Sequence, residues 1–236
     1  MRNSWKLNKN YLLIGAMCIL ILSSCSKYQY VSISSYLQSN ENKDFFCEND
    51  TIKLKYSFSG ENFRMKITVF NKLQQPIFID WAKSSVIINE EAAEYPFQEE
   101  QIAKYVAPQS YYTFSTNSFL DQFITIEPND STANLGSFVK GENGKWEKHS
   151  FGESISPIFF TNILAITTHE DLTSTRYFEN SFWVSEILQT PTSPSSITNL
   201  QNNQFYIRKP TGFGNFMGYS VSLAVILILA ILNQGE

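Results

Sequence analysis

From Thr51 to Phe70 the chain alternates apolar and polar side chains with a period of two. Ile52, Leu54, Tyr56 and Phe58 share one face of the first run, with Lys53 and Lys55 on the other. Phe63, Met65, Ile67 and Val69 share a face of the second. Successive strand residues point to opposite sides of a sheet, so both runs predict strands with one buried face. Ser59, Gly60, Glu61 and Asn62 between them predict a short hairpin loop.

Shorter apolar or alternating runs predict strands over 76–80, 86–89, 111–115, 122–127, 157–168 and 175–188. Turn-forming residues separate them, among them Pro128-Asn129-Asp130 and His169-Glu170-Asp171. No long helical period intervenes. The pattern therefore predicts one all-β domain over 47–189, an antiparallel sandwich rather than a doubly wound sheet. Residues 25–46, rich in Ser, Asn, Gln and Tyr, read as a spacer. Residues 190–215, with Pro191, Pro194 and many Asn and Ser, read as a linker.

The two ends are apolar in a different way. Arg2, Lys6 and Lys9 precede an uncharged run from Tyr11 to Leu22, which closes on Ser23, Ser24 and Cys25. As a helix the run reaches only about 18 Å, against a hydrocarbon core of about 30 Å. A basic start, a short apolar stretch and small residues before a cysteine resemble a bacterial lipoprotein signal peptide over 1–24. That resemblance implies removal of the signal and fatty acylation of Cys25, palmitate included. An uncleaved anchor and ordinary cleavage without lipid are the alternatives. Phe216 and Leu232 bound a second uncharged run, about 26 Å long as a helix, which predicts a transmembrane or membrane-buried helix. Arg208 and Lys209 precede it, against the positive-inside tendency for a domain outside the cytoplasm.

Charge narrows the partners. The chain has 18 basic and 22 acidic side chains, and loss of Arg2, Lys6 and Lys9 with the signal leaves 15 against 22, or −7. That balance disfavours nucleic acid and electrostatic docking on anionic lipid, so membrane contact falls to the acyl chains and the apolar helix. Of three cysteines, Cys18 leaves with the signal and Cys25 takes the lipid, so Cys47 stands alone. It reads as a small buried apolar residue beside Phe45 and Phe46, with a reactive thiol as the alternative.

Candidate chemistry is sparse. His149 and His169 fall in predicted loops, far apart, and no His/Cys spacing suits zinc. There is no phosphate-cradling glycine loop and no Gly-x-Ser-x-Gly. Neither a cofactor nor a resident metal is expected. Glu90, Glu91, Glu94, Glu99 and Glu100 suit a hard-cation site, a negative docking surface or a solvated loop. Exposed aromatic rings stack on sugars, which makes Trp81, Trp146, Trp183, Tyr111 and Tyr112 candidates, with Trp146 the expected exposed ring. Asp50-Thr51-Ile52 and Asp130-Ser131-Thr132 resemble O-glycosylation acceptors of some Gram-negative secreted proteins, which implies Thr51 and Ser131 as modified residues.

Residues 66–71, 75–81 and 106–110 join a strand ending in Asn71, a turn with Pro76, and a Pro108-Gln109-Ser110 loop. They resemble small immunoglobulin-like domains of Gram-negative, Bacteroidetes-like lipoproteins, a family of unknown function. The resemblance implies an immunoglobulin-like sandwich and no particular catalytic residue. Together these features suggest a non-enzymatic lipoprotein of the cell envelope that binds another envelope protein or serves as an assembly module. A glycan-binding surface lipoprotein is the alternative.

Overall fold

The apolar face of the central hairpin is withdrawn from water: Ile52, Leu54, Tyr56, Ile67 and Val69 are each at most 1% exposed. These residues lie on β4 (Ile52–Ser57) and β6 (Lys66–Asn71), paired antiparallel from Ile52 opposite Asn71 to Ser57 opposite Lys66. The computed structural model describes residues 26–94, 105–120, 122–126, 134–141, 144–197 and 200–210. It divides into a unit over Tyr28–Arg208 and a second made of the two chain ends. The signal segment, Cys25, Ser131 and the run Phe216 to Leu232 lie outside the described residues. Among the described residues, no helix is long and apolar enough to cross a membrane.

The fold is all-β, with two antiparallel-rich sheets compatible with a β-sandwich. The smaller sheet has strand order β11 (Tyr111–Ser115), β6, β4, β3 (Phe45–Glu48) and β2 (Gln38–Ser39). The larger is built around β14 (Phe159–Thr167) and β15 (Arg176–Thr190), paired from Phe159 opposite Trp183 to Ile166 opposite Arg176. β15 outlasts β14 and continues between β1 (Ser26–Ser34) and β13 (Gly144–Ser150), which itself pairs with β12 (Asn134–Gly141). On its other side β14 meets β7 (Ile77–Ile79) and β8 (Ser85–Ile88). Beyond these lie β10 (Tyr105–Val106), paired with β7, and β9 (Glu91–Glu94), paired with β8.

Three expectations change. The spacer over 25–46 instead contains sheet: β1 inserts beside β15, with Val31 and Ile33 fully buried. Its polar composition concealed this because Gln29, itself fully buried, spends both ends of its amide on the backbone of Ile124, at 3.0 and 2.8 Å. That clamp also explains the second correction. Described residues 122–126 form no strand, because a side chain rather than a neighbouring strand satisfies their central peptide. The third concerns the linker over 190–215, which contains β16 (Gln204–Pro210), with Phe205 and Ile207 buried in the core.

The hairpin connection is also longer than its turn residues suggest, running from Phe58 to Met65. Gly60 and Glu61 form β5, which pairs in parallel with Phe205 and Tyr206 of β16. Gly60 sits at φ +115°, where a side chain would strain the backbone. The diversion carries Phe58 and Phe63 inward. Phe58 meets Phe160 edge-on at 5.7 Å and Phe182 at 5.2 Å, while Phe63 lies 4.9 Å from Phe160 and 5.0 Å from Phe205. Such ring pairs add about 0.5–1.5 kcal/mol each beyond the burial of their area.

One polar cluster crosses this core. Asn162 and Asn180, opposite each other on β14 and β15, donate their amides to the Tyr56 hydroxyl of the smaller sheet at 3.0 and 2.9 Å. All three are buried. Burial holds the Tyr56 phenol well above the usual tyrosine range, so it stays neutral where an unfolded chain would ionise. With the folded value raised, its stability contribution is complete below about pH 10 and falls as pH climbs past that point. Tyr56→Phe removes the acceptor shared by two buried amides and is expected to cost about 1–3 kcal/mol at neutral pH, read from urea unfolding. A loss near zero would show that the amides re-pair without the hydroxyl.

Candidate functional site

The outward face of the smaller sheet is where polar chemistry and exposed rings meet. Alternation sends Lys53 and Lys55 of β4, and Lys66, Thr68 and Phe70 of β6, away from the core. Register then aligns these side chains across strands. One row runs Phe46, Lys55, Thr68, Thr113; the next runs Glu48, Lys53, Phe70, Tyr111. With Lys66, and without Glu48, they line a shallow groove of 480 Å³, with Asn40 and Asp44 at one margin.

Tyr111 is 71% exposed and its ring packs against Phe70 at 4.5 Å between centroids. The hydroxyls of Thr68 and Thr113 are hydrogen-bonded at 2.9 Å. The lysines differ in what they face. Lys53 stands 3.3 Å from Glu48 and lies over the Phe46 ring at 5.1 Å. Glu48 is also held by Lys72 at 2.9 Å, and these two ammonium groups, Lys72 foremost, keep its carboxyl below the usual glutamate range. Asp44 accepts from the side-chain amides of Asn40 and Asn202. Among the described residues, Lys55 and Lys66 have no ion pair.

A second cavity, 330 Å³, lies where the β14–β15 loop passes the turns before β4 and after β6. Ile166, Phe178 and Leu73 supply its apolar wall, and Thr51, His169 and Arg176 its polar margin. In the bend after β1, Tyr36 is 80% exposed, leans on Trp183 of the larger sheet at 5.0 Å, and donates its hydroxyl to Glu153 at 2.6 Å.

The predicted residues scatter. Thr51 sits half-buried at the start of β4, its N–H held by Asn49. Trp146 pairs with Val139 within the β12–β13 hairpin, and that register is all the structure describes of it. Trp81 packs edge-on against Phe114 at 5.0 Å. Tyr112 turns inward onto Phe114, unlike its neighbour Tyr111. His149 lies on β13 rather than in a loop and meets Glu147 at 3.0 Å; His169 lines the second cavity. Of the acidic run, Glu91 and Glu94 belong to β9, and 99–100 lie outside the described residues. Among the described residues, no group of three His, Cys, Asp or Glu side chains could hold a metal ion.

The lysines of the groove were visible in the sequence only as the polar side of an alternating strand. What brings them beside Tyr111 is strand register, which alternation alone does not supply. No family model, curated protein or solved structure matches the chain.

Cys47 on β3 is partly buried against the core, and burial pushes its thiol up. A raised value lowers the reactive thiolate fraction at pH 8. Iodoacetamide should therefore modify Cys47 at least about tenfold more slowly in the folded chain than in urea, read by peptide mass spectrometry. Equal rates would mean that the thiol is open to solvent.

Proposed function

We propose that this chain is a non-enzymatic module of the cell envelope, anchored by lipid on Cys25 and by the apolar run Phe216 to Leu232. In this reading an immunoglobulin-like domain stands outside the cytoplasm and binds an acidic envelope component through its lysine–aromatic groove. The observation that carries it is the pair Lys55 and Lys66, without ion pairs among the described residues, beside the exposed Tyr111. On a chain with a surplus of acidic groups, such a positive patch favours an acidic partner by charge complementarity.

Two partner classes suit the reading: an acidic segment of another envelope protein, as in an assembly module, and a glycan. The open stack of Tyr111 on Phe70 favours the glycan, and moves its expected contact from Trp146 to the smaller sheet.

Two experiments test the parts separately. A labelled fatty acid should enter the wild-type chain and be lost in Cys25→Ala; equal label in both, or none in either, removes the lipid anchor. A photo-crosslinking residue at Ser115, on the exposed face of β11, should capture an envelope component in cells. Capture should fail when Lys55→Glu and Lys66→Glu are combined in a chain that retains its circular dichroism. No adduct, or one indifferent to the lysine changes, overturns the assignment of the groove.

A further inference from the structure

We infer that the groove on the smaller sheet is built for an acidic oligosaccharide, carboxylated or sulfated. The inference rests on the reading of this face as a binding surface and names the ligand. β4 and β6 are interior strands, flanked by β3 and β11, and their backbone groups are paired within the sheet. A peptide that docks by adding a strand would lie along the end strand β11 and not across β4 and β6. Recognition across β4 and β6 falls to side chains.

Those side chains divide into functions along the strands. Tyr111 and Phe70 form a flat apolar platform at one end, suited to the C–H face of a sugar ring. Thr68 and Thr113 come next, about 7 Å along each strand. Because each hydroxyl is both donor and acceptor and only one proton lies between the two, one hydroxyl proton remains to donate to a ligand oxygen. Lys55 stands directly beside Thr68, and Lys66 is its diagonal neighbour across β4 and β6. An anionic substituent on the ring following the stacked one falls between these two ammonium groups.

The formal charges around the groove still sum to a positive balance. Glu48 is paired with Lys53 and Lys72, and Asp44, held by two neutral amides, sets one formal negative charge against the two positive charges of Lys55 and Lys66. From Phe70 to Lys66 the face runs about 13 Å, enough for a short oligosaccharide. The groove volume of 480 Å³ falls within the range of about 300–1,000 Å³ usual for small-ligand clefts. A long polyphosphate would meet too few uncompensated cations for tight binding.

The test is titration of the full chain in detergent with oligogalacturonate, a sulfated oligosaccharide, the neutral carboxyl-reduced counterpart of the first, and polyglutamate. At least one acidic saccharide should bind, and its affinity should fall about tenfold or more in Lys55→Gln/Lys66→Gln and in Tyr111→Ala. Tyr111→Phe and Lys55→Arg/Lys66→Arg should restore most of it. Equal binding of the neutral saccharide overturns the acidic assignment. Polyglutamate binding that is indifferent to Tyr111→Ala, with no saccharide bound, overturns the saccharide and leaves an acidic-protein dock. If no probe binds while the Ser115 adduct still depends on the lysines, this inference fails and the binding role of the face stands. If both fail, the groove is no site.

Discussion

The phenol of Tyr56, held by Asn162 and Asn180, is the contact on which the rest of the two-sheet fold depends. An apolar core packs rings tolerantly, since Phe160, Phe182 and Phe58 could slide past one another at little cost in buried area. Two amides on neighbouring strands cannot slide. Each donates to the Tyr56 hydroxyl of the opposite sheet, and losing such a buried hydrogen bond costs more than displacing a ring. The cluster thus fixes which residues of β4 lie over which residues of β14 and β15. A similar device recurs at Gln29, whose amide stands in for a strand, and at Asn71, whose side chain donates to the carbonyls of Gln75, Val106 and Ala107.

Fixing β4 from the inside also fixes its outside. Once Tyr56 is committed inward, Lys53 and Lys55 must point outward, and the pairing with β6 places them beside Thr68 and Phe70. The lysine–aromatic groove is in that sense the reverse side of the core. Its lysines, Thr68 and Phe70 lie on the interior strands β4 and β6, while Tyr111 and Thr113 stand on the end strand β11 and are held in line by its pairing with β6. The stack of Tyr36 on Trp183 of the larger sheet is tied down by a single hydrogen bond to Glu153.

Alternation along the chain identified the inward face of the hairpin residue by residue: Ile52, Leu54, Tyr56, Phe58, Phe63, Met65, Ile67 and Val69 are all buried. The strand at 111–115 also coincides with β11, and β14 and β15 fall close to their predicted spans. Composition was a poorer guide. Residues 26–34 and 204–210 looked like tether because they lie in stretches rich in Gln, Ser and Asn, yet they form β1 and β16. Their polar side chains are tolerated inside or at the margin because each finds a specific partner, as Gln29 finds Ile124 and Gln204 finds Ser32.

What the chain determined by itself was local: which residues turn inward on each strand, since that follows from a period of two, and the segregation of Lys53 and Lys55 from the apolar face. What only the tertiary structure decided was adjacency. Phe46, Lys55, Thr68 and Thr113 come from four strands and meet in one row because of register. Backbone pairing holds that register within the sheet, and the seating of one sheet on the other is fixed by contacts between residues as distant as Tyr56 and Asn180. Such contacts depend on which donor can reach which acceptor in three dimensions, a geometric condition that leaves no periodic trace in the sequence.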